Sequence, residues 1–267
     1  MYTQTSGLKH PSNNITLTTA SGEVIALTGD QTIKTDGALL KGKGSTLNFT
    51  TTEEKNNSSI NTLTVPSGLD YQIRLDDGTL VRLNSETQME FPFKFGKHRE
   101  ITITGEAYLE VAPDASRPFI VHLPGGKDVT VLGTSFNVNA YEEQHAKVAL
   151  VSGSVSLKTG ADSVLLKPGT LATTLNENIS IAPFDENFEL SWREGVFYIK
   201  SQRMEDVAKV LSRWYGKKVV IDDSTLATKI FTGKLNRKDP ITTFLDNAKE
   251  LLNFQYEIDN SNVLHLK

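Results

Sequence analysis

Tyr71-Gln72-Ile73-Arg74-Leu75, then Asp76-Asp77-Gly78, then Leu80-Val81-Arg82-Leu83 is the stretch on which the fold turns. Apolar and polar residues alternate on both sides of a polar-glycine turn. Period-two alternation sends every second side chain to the same face of a strand. Glycine supplies the positive φ that a tight hairpin turn demands. The stretch therefore predicts a β-hairpin with Asp76 and Asp77 in its turn. The two aspartates also resemble the start of a calcium loop, but the remaining ligands of such a loop do not follow.

The same pattern stands upstream. Residues 15–27 run Ile-Thr-Leu-Thr, then Ser21-Gly22, then Val24-Ile25-Ala26-Leu27. They predict a second hairpin, so the first 60 residues read as a related layer of one β domain. Residues 50–61, rich in Thr, Asn, Ser, Glu and Lys, read as an exposed loop. Downstream the alternation recurs at Ile101-Thr102-Ile103, Tyr108-Leu109-Glu110-Val111, Phe119-Ile120-Val121-His122, Val129-Thr130-Val131-Leu132 and Val155-Ser156-Leu157. Many short strands between Gly, Asp and Asn turns predict a large all-β domain over residues 1–184, either a sandwich or solenoid-like.

After residue 190 the period changes. Val196-Phe197-Tyr198-Ile199 reads as a strand, and Met204, Val207, Ala208, Leu211 and Trp214 recur at helical spacing until Gly216 stops them. Val219-Val220-Ile221 and Ile230-Phe231-Thr232-Gly233 read as strands. Asp239 and Pro240 predict an N-cap and first helical position, followed by a stripe of Ile241, Phe244, Leu245, Ala248, Leu251 and Leu252. Two further strands close the chain. The predicted order over 190–267 is β-α-β-β-α-β-β, a small α+β domain with two helices on one face of a short sheet.

Composition narrows the function. The 267 residues carry a formal net charge of −4, all of it in the first 184, since residues 185–267 are charge-balanced. That excludes a strongly basic nucleic-acid binder and a polybasic membrane-surface protein. No stretch approaches the roughly 20 apolar residues of a membrane span, and no apolar signal core follows Met1. The absence of cysteine excludes disulfides, thiolate zinc sites and cysteine nucleophiles.

Phosphate-loop, zinc-protease and serine-elbow motifs are missing. Gly133-Thr134-Ser135 follows a strand as a nucleophile elbow would, without a helical pattern after it. The histidines (His10, His98, His122, His145, His265) lack ligand spacing. No catalytic residue, metal site or cofactor is predicted. Glu106 and Glu110 share a strand face and read either as structural glutamates or as a carboxylate pair for glycoside chemistry. Lys97-His98-Arg99 reads as a solvated turn. Trp192, Trp214 and Tyr215 read as a sugar-stacking platform or an interface anchor, with Trp214 fitting core packing through its place on the helical stripe. Ile230-Phe231 reads as an edge open to strand addition or as a paired interior strand. The candidate partner-binding set is Tyr198, Lys200, Tyr215, Ile230 and Phe231.

A resemblance joins these pieces. Its carriers are Val65-Pro66-Ser67-Gly68, Leu75-Asp76-Asp77-Gly78-Thr79-Leu80-Val81-Arg82-Leu83-Asn84, Phe91-Pro92, and Gly105-Glu106-Ala107-Tyr108-Leu109-Glu110-Val111. They continue through Arg117-Pro118-Phe119, Val131-Leu132-Gly133-Thr134-Ser135-Phe136-Asn137-Val138 and Leu150-Val151-Ser152-Gly153. In this order they resemble the periplasmic part of FecR-like anti-sigma factors. Trp192-Arg193-Glu194-Gly195-Val196-Phe197-Tyr198-Ile199 and Arg213-Trp214-Tyr215-Gly216 resemble the domain that follows in Bacteroidetes-type members. The order of that domain is also similar to the short N-terminal signalling domain of secretins and TonB-dependent transducers. The resemblance implies a periplasmic sensor, not an enzyme, that meets the signalling domain of an outer-membrane TonB-dependent transporter. It implies release of an extracytoplasmic-function sigma factor through a cytoplasmic segment and one membrane helix. Neither is in this sequence, so the chain reads as the periplasmic portion of a single-pass inner-membrane protein. A carbohydrate-binding β protein is the alternative.

Overall fold

The computed structural model describes residues 14–35, 37–52 and 59–267. The first part is almost wholly strand: β1 (Ile15–Thr18), β2 (Val24–Leu27), β3 (Gln31–Thr35), β4 (Ala38–Lys43), β5 (Thr46–Thr51), β6 (Ile60–Val65), β7 (Tyr71–Arg74), β8 (Leu80–Leu83) and β9 (Thr87–Pro92). There follow β10 (Arg99–Glu110), β11 (Phe119–Leu123), β12 (Lys127–Val131), β13 (Ser135–Glu142), β14 (His145–Ser152), β15 (Val155–Thr159), β16 (Asp162–Leu166), β17 (Thr170–Leu175) and β18 (Asn178–Pro183). Sheet I runs β2-β1-β6-β9-β10-β11-β12-β15-β16. Sheet II runs β3-β4-β5-β7-β8-β10-β13-β14-β17-β18. Most neighbours are antiparallel, with β10–β11 and β5–β7 parallel.

Both quoted stretches form hairpins, β7–β8 in sheet II and β1–β2 in sheet I. In the first, Asp77 accepts from the Thr79 amide and hydroxyl, which closes the turn. Residues 50–61 are not one loop: Thr50 and Thr51 end β5, Ile60 and Asn61 begin β6, and 53–58 lie outside the described residues.

The two sheets are one continuous structure because β10 belongs to both. Thr102 to Thr104 pair with β9, and Gly105 to Glu110 pair with β13. Ile101-Thr102-Ile103 and Tyr108-Leu109-Glu110 are therefore one strand, not two. Gly105 makes the crossing. Its φ is +121°, and a Cβ there would lie 2.4 Å from Thr87 Oγ1 and 2.7 Å from its Cα. Only glycine fits such a position. The inward residues of both layers, among them Leu63, Met89, Phe91 and Ile103 of sheet I and Leu47, Ile73, Leu109 and Val138 of sheet II, merge into one core. Each such side chain contributes about 1.5–3 kcal/mol by leaving water.

Arg99 departs from the expected solvated turn. Lys97 and His98 are exposed, but Arg99 is fully buried at the start of β10. It shares an inward face with Ile101 and Ile103.

The C-terminal unit contains α1 (Glu186–Glu189), a 3-10 turn (Ser191–Glu194), β19 (Val196–Arg203), α2 (Met204–Tyr215), β20 (Val219–Ile221), α3 (Ser224–Thr228), β21 (Ile230–Asn236), α4 (Ile241–Leu252), β22 (Tyr256–Ile258) and β23 (Leu264–Leu266). Two features depart from the expected order. Helix α3 intervenes before β21, started by Asp223, whose carboxylate accepts from the Thr225 amide and hydroxyl. The strands also divide into two small sheets, β19–β21 and β20–β23–β22. Pro240, not Asp239, takes the N-cap position of α4. Helix α2 buries Met204, Val207, Leu211 and Trp214, and Gly216 ends it in the left-handed region. Among the described residues no helix is long and apolar enough to cross a membrane.

Candidate functional site

The C-terminal unit sits on the outer face of sheet II. On β8, β10 and β13, residues Arg82, Glu106, Tyr108, Asn137 and Tyr141 alternate with the core residues Val81, Ala107, Leu109, Phe136 and Val138. Parity points them away from the β core, where water would normally meet them. Instead Glu106, Tyr108 and Asn137 are buried. Tyr108 packs into the second hydrophobic core together with Trp192, Trp214 and Leu235.

A polar network joins the two parts. Arg237, which follows β21, donates to Asp70 Oδ1 at 2.9 Å and to Asn84 Oδ1 at 2.6 Å. Asp70 also holds Arg82, at 2.9 Å and 3.2 Å. Asn84 donates to Glu106 Oε2 at 2.7 Å, and Asn137 donates to Glu106 Oε1 at 3.2 Å. Trp192 Nε1 donates to Asn137 Oδ1 at 3.1 Å. Both amide carbonyls are thus taken by the C-terminal unit, which turns both NH2 groups toward Glu106. Four cation–aromatic contacts lie in the same region: Arg193 over Tyr108 at 4.0 Å, Arg213 over Tyr141 at 4.2 Å, Arg237 over Trp214 at 4.4 Å and Arg82 over Trp192 at 5.9 Å.

Burial dominates the electrostatics. It raises the Glu106 carboxyl above its ordinary 4.5; the hydrogen bond from Asn84 lowers it, the charge of Glu189 raises it, and the bond from Asn137 lowers it. Burial, with Glu106 nearby, also raises the Tyr141 phenol, whose hydroxyl donates to Ser85 O at 2.8 Å. Burial lowers the Arg237 guanidinium, and Asp70 partly restores it. The Arg237 Nε–H is the buried side-chain group without a partner among the described residues. An interface made this way is specific in geometry but carries a desolvation cost.

Beside the network lies a cleft of about 710 Å³ between β13, β14 and β17 on one wall and α1, β19 and α2 on the other. Tyr198 and Lys200 of the candidate set line it. Tyr198 stacks on Phe188 with ring centroids 5.1 Å apart, and the Lys200 ammonium lies 5.6 Å from the Phe188 centroid. Tyr215 is half-buried, and its hydroxyl donates to Asn236 O and Asp239 O, which ties α2 to the end of β21. Ile230 is exposed on β21, whereas Phe231 is buried edge-on against Phe244 at 5.3 Å and belongs to the core. The set is therefore split between the cleft, the far strand and the interior.

Both tryptophans are buried, so neither forms an exposed stacking platform. Glu106 lies beneath the C-terminal unit while Glu110 is exposed, so they do not line one open site. Asp70, Asn84, Asn137 and Arg237, which form the network, stand outside the candidate set. Their sequence signal is weak: a polar residue at outward parity, as Asn137, or just outside a strand, as Asp70, Asn84 and Arg237, looks like a solvated one.

Comparison with known proteins matches these two parts. The family model described as FecR protein matches residues 61–156, and the model described as FecR, C-terminal matches residues 196–265. Two crystal structures of a candidate anti-sigma factor from Parabacteroides distasonis ATCC 8503 are similar to the chain. Each has a TM-score of 0.71, with 28% and 27% identity, covering 77% and 78% of this chain and 98% of theirs. No functionally curated protein matches. With both FecR segments in order, and the β layers and C-terminal unit to house them, the chain belongs to the family of FecR-like anti-sigma factors.

Proposed function

We propose that the chain is the periplasmic sensor region of its anti-sigma factor. Family membership makes it part of a signalling regulator that works with a sigma factor and signalling partners. In this proposal the C-terminal unit receives the signalling domain of an outer-membrane TonB-dependent transporter. The signal then passes to an extracytoplasmic-function sigma factor through a membrane helix and cytoplasmic segment of the full regulator.

One observation carries the proposal. The segment matching the FecR C-terminal model presents a two-stranded sheet, β19–β21, in which neither outer edge is paired with a further strand among the described residues. Unpaired edges are templates for a partner's strand. The near balance of charge in residues 185–267 suits a mixed interface, not a uniform field. Titration of the chain with isolated signalling domains of cognate transporters, followed by calorimetry, is expected to give saturable one-to-one binding with one of them. Heats of dilution alone with every cognate domain would overturn the proposal.

A further inference from the structure

Docking of the C-terminal unit decides the surroundings of Glu106. By parity on β10 this side chain points away from the β core, so without the unit it would stand in water. With the unit docked it is buried. Both of its side-chain bonds come from neutral donors, the amides of Asn84 and Asn137, and it forms no ion pair among the described residues. The guanidinium groups of the network are held by others, Arg82 by Asp70, and Arg237 by Asp70 and Asn84. The two amides are themselves engaged by the C-terminal unit, through Arg237 and Trp192. A carboxyl covered by one part of the chain on the face of the other, with no cation against it, is a site where closure and protonation favour each other.

The remaining charged and titratable neighbours do not reverse this. From the C-terminal unit, Glu189 adds a like charge, while Arg193 and Arg213 lie over the rings of Tyr108 and Tyr141. From sheet II, Tyr141 is raised by burial and keeps its proton wherever carboxyls titrate. Glu86, in the turn between β8 and β9, is also raised by burial, against the charge of Arg213.

We propose that Glu106 couples docking to a proton, which the closed arrangement holds on this carboxyl and the open arrangement releases to solvent. Acid then fastens the C-terminal unit to sheet II, and rising pH loosens it. An exposed Glu106 titrates at its ordinary 4.5 and the buried one above it. Docking is therefore tightest below about 4.5 and weakens as pH rises through the raised value, by at most about tenfold per pH unit for one proton. The device belongs to the chain itself, so it stands or falls independently of the partner proposed above.

Energy transfer across the two parts tests this in the full chain. The sequence has no cysteine, so Lys158→Cys on exposed β15 and Glu250→Cys on the exposed face of α4 accept a donor–acceptor pair. Urea is titrated at several pH values from about 4.5 to about 8, with circular dichroism following the β layers. The urea midpoint for loss of transfer is expected to fall as pH rises. Glu106→Gln is expected to flatten that slope and Glu86→Gln to keep most of it. A midpoint independent of pH, or a slope that survives in Glu106→Gln, overturns the proposal. Should Glu106→Gln fail to dock, carbon-13 NMR of the glutamate carboxyls in the parent decides. The Glu106 carboxyl is expected to titrate above 4.5, with the Trp192 indole N–H shifting at the same midpoint. Titration of Glu106 at or below 4.5 overturns the proposal.

Discussion

Replacing Arg99 by leucine is expected to cost the β layers about 3–5 kcal/mol, the range for removing one member of a buried ion pair. Arg99 is fully buried, and its partner Asp77 is nearly so. Its Nε donates to Arg117 O at 2.8 Å, and its Nη1 donates to Asp77 Oδ2 at 2.9 Å and to Ala112 O at 2.7 Å. The guanidinium lies 5.5 Å from the Phe119 ring centroid. One side chain thus ties the β7–β8 turn to the segment between β10 and β11. Leucine fills much of the volume but leaves a carboxylate and three carbonyls, those of Arg117, Ala112 and Asp114, without the Arg99 donor. Asp77 keeps its bonds from Thr79, which limits the loss. Arg99→Lys retains charge without the planar fork and is expected to fall between the two. Urea unfolding followed by far-ultraviolet circular dichroism measures the difference. A leucine variant within 1 kcal/mol of the parent would show that the hub is dispensable.

Arg237→Met is expected to weaken docking of the C-terminal unit by about 2–4 kcal/mol, from two charge-assisted hydrogen bonds and one cation–aromatic contact. Asp70 retains Arg82, so it is not abandoned. Asn84 loses the partner that orients its amide toward Glu106. Both tryptophans of the chain, Trp192 and Trp214, lie in the second core, so their emission reports docking while circular dichroism reports mainly the β layers. In the variant the fluorescence transition is expected at lower urea than the dichroism transition. Two coincident, unshifted transitions would contradict the network's role. Its pH dependence has a fixed sign. Because burial raises Glu106 in the folded state, the folded chain holds this proton more tightly than the unfolded one. Stability therefore falls as pH rises from about 4.5 through the raised value, and Glu106→Gln lacks that slope.

Local pattern accounts for much of the fold. Alternation at Tyr71–Arg74 and Leu80–Leu83 foretold a hairpin because one face of each strand is buried. The stripe in α2 foretold a helix for the same reason at a different period. Two failures have a common cause. Ile101-Thr102-Ile103 and Tyr108-Leu109-Glu110 read as two strands, yet the positive φ of Gly105 bends one strand between two sheets, which only the packing of Thr87 against it makes visible. Arg99 reads as solvated beside Lys97 and His98, although its parity with Ile101 and Ile103 was there to be used. Ile230 and Phe231 must face opposite ways on a strand, but periodicity cannot say which one is inward. The docked face was beyond local reasoning. Glu106 and Asn137 are outward by parity, and a unit roughly 100 residues further along the chain covers them.

Hydrogen exchange with and without the signalling domain tests the central claim most directly, that the partner pairs with a free edge of the β19–β21 sheet. The account predicts new protection in one strand of that sheet, Val196–Arg203 or Ile230–Asn236. Protection confined to the β layers, with none in either strand, would contradict it.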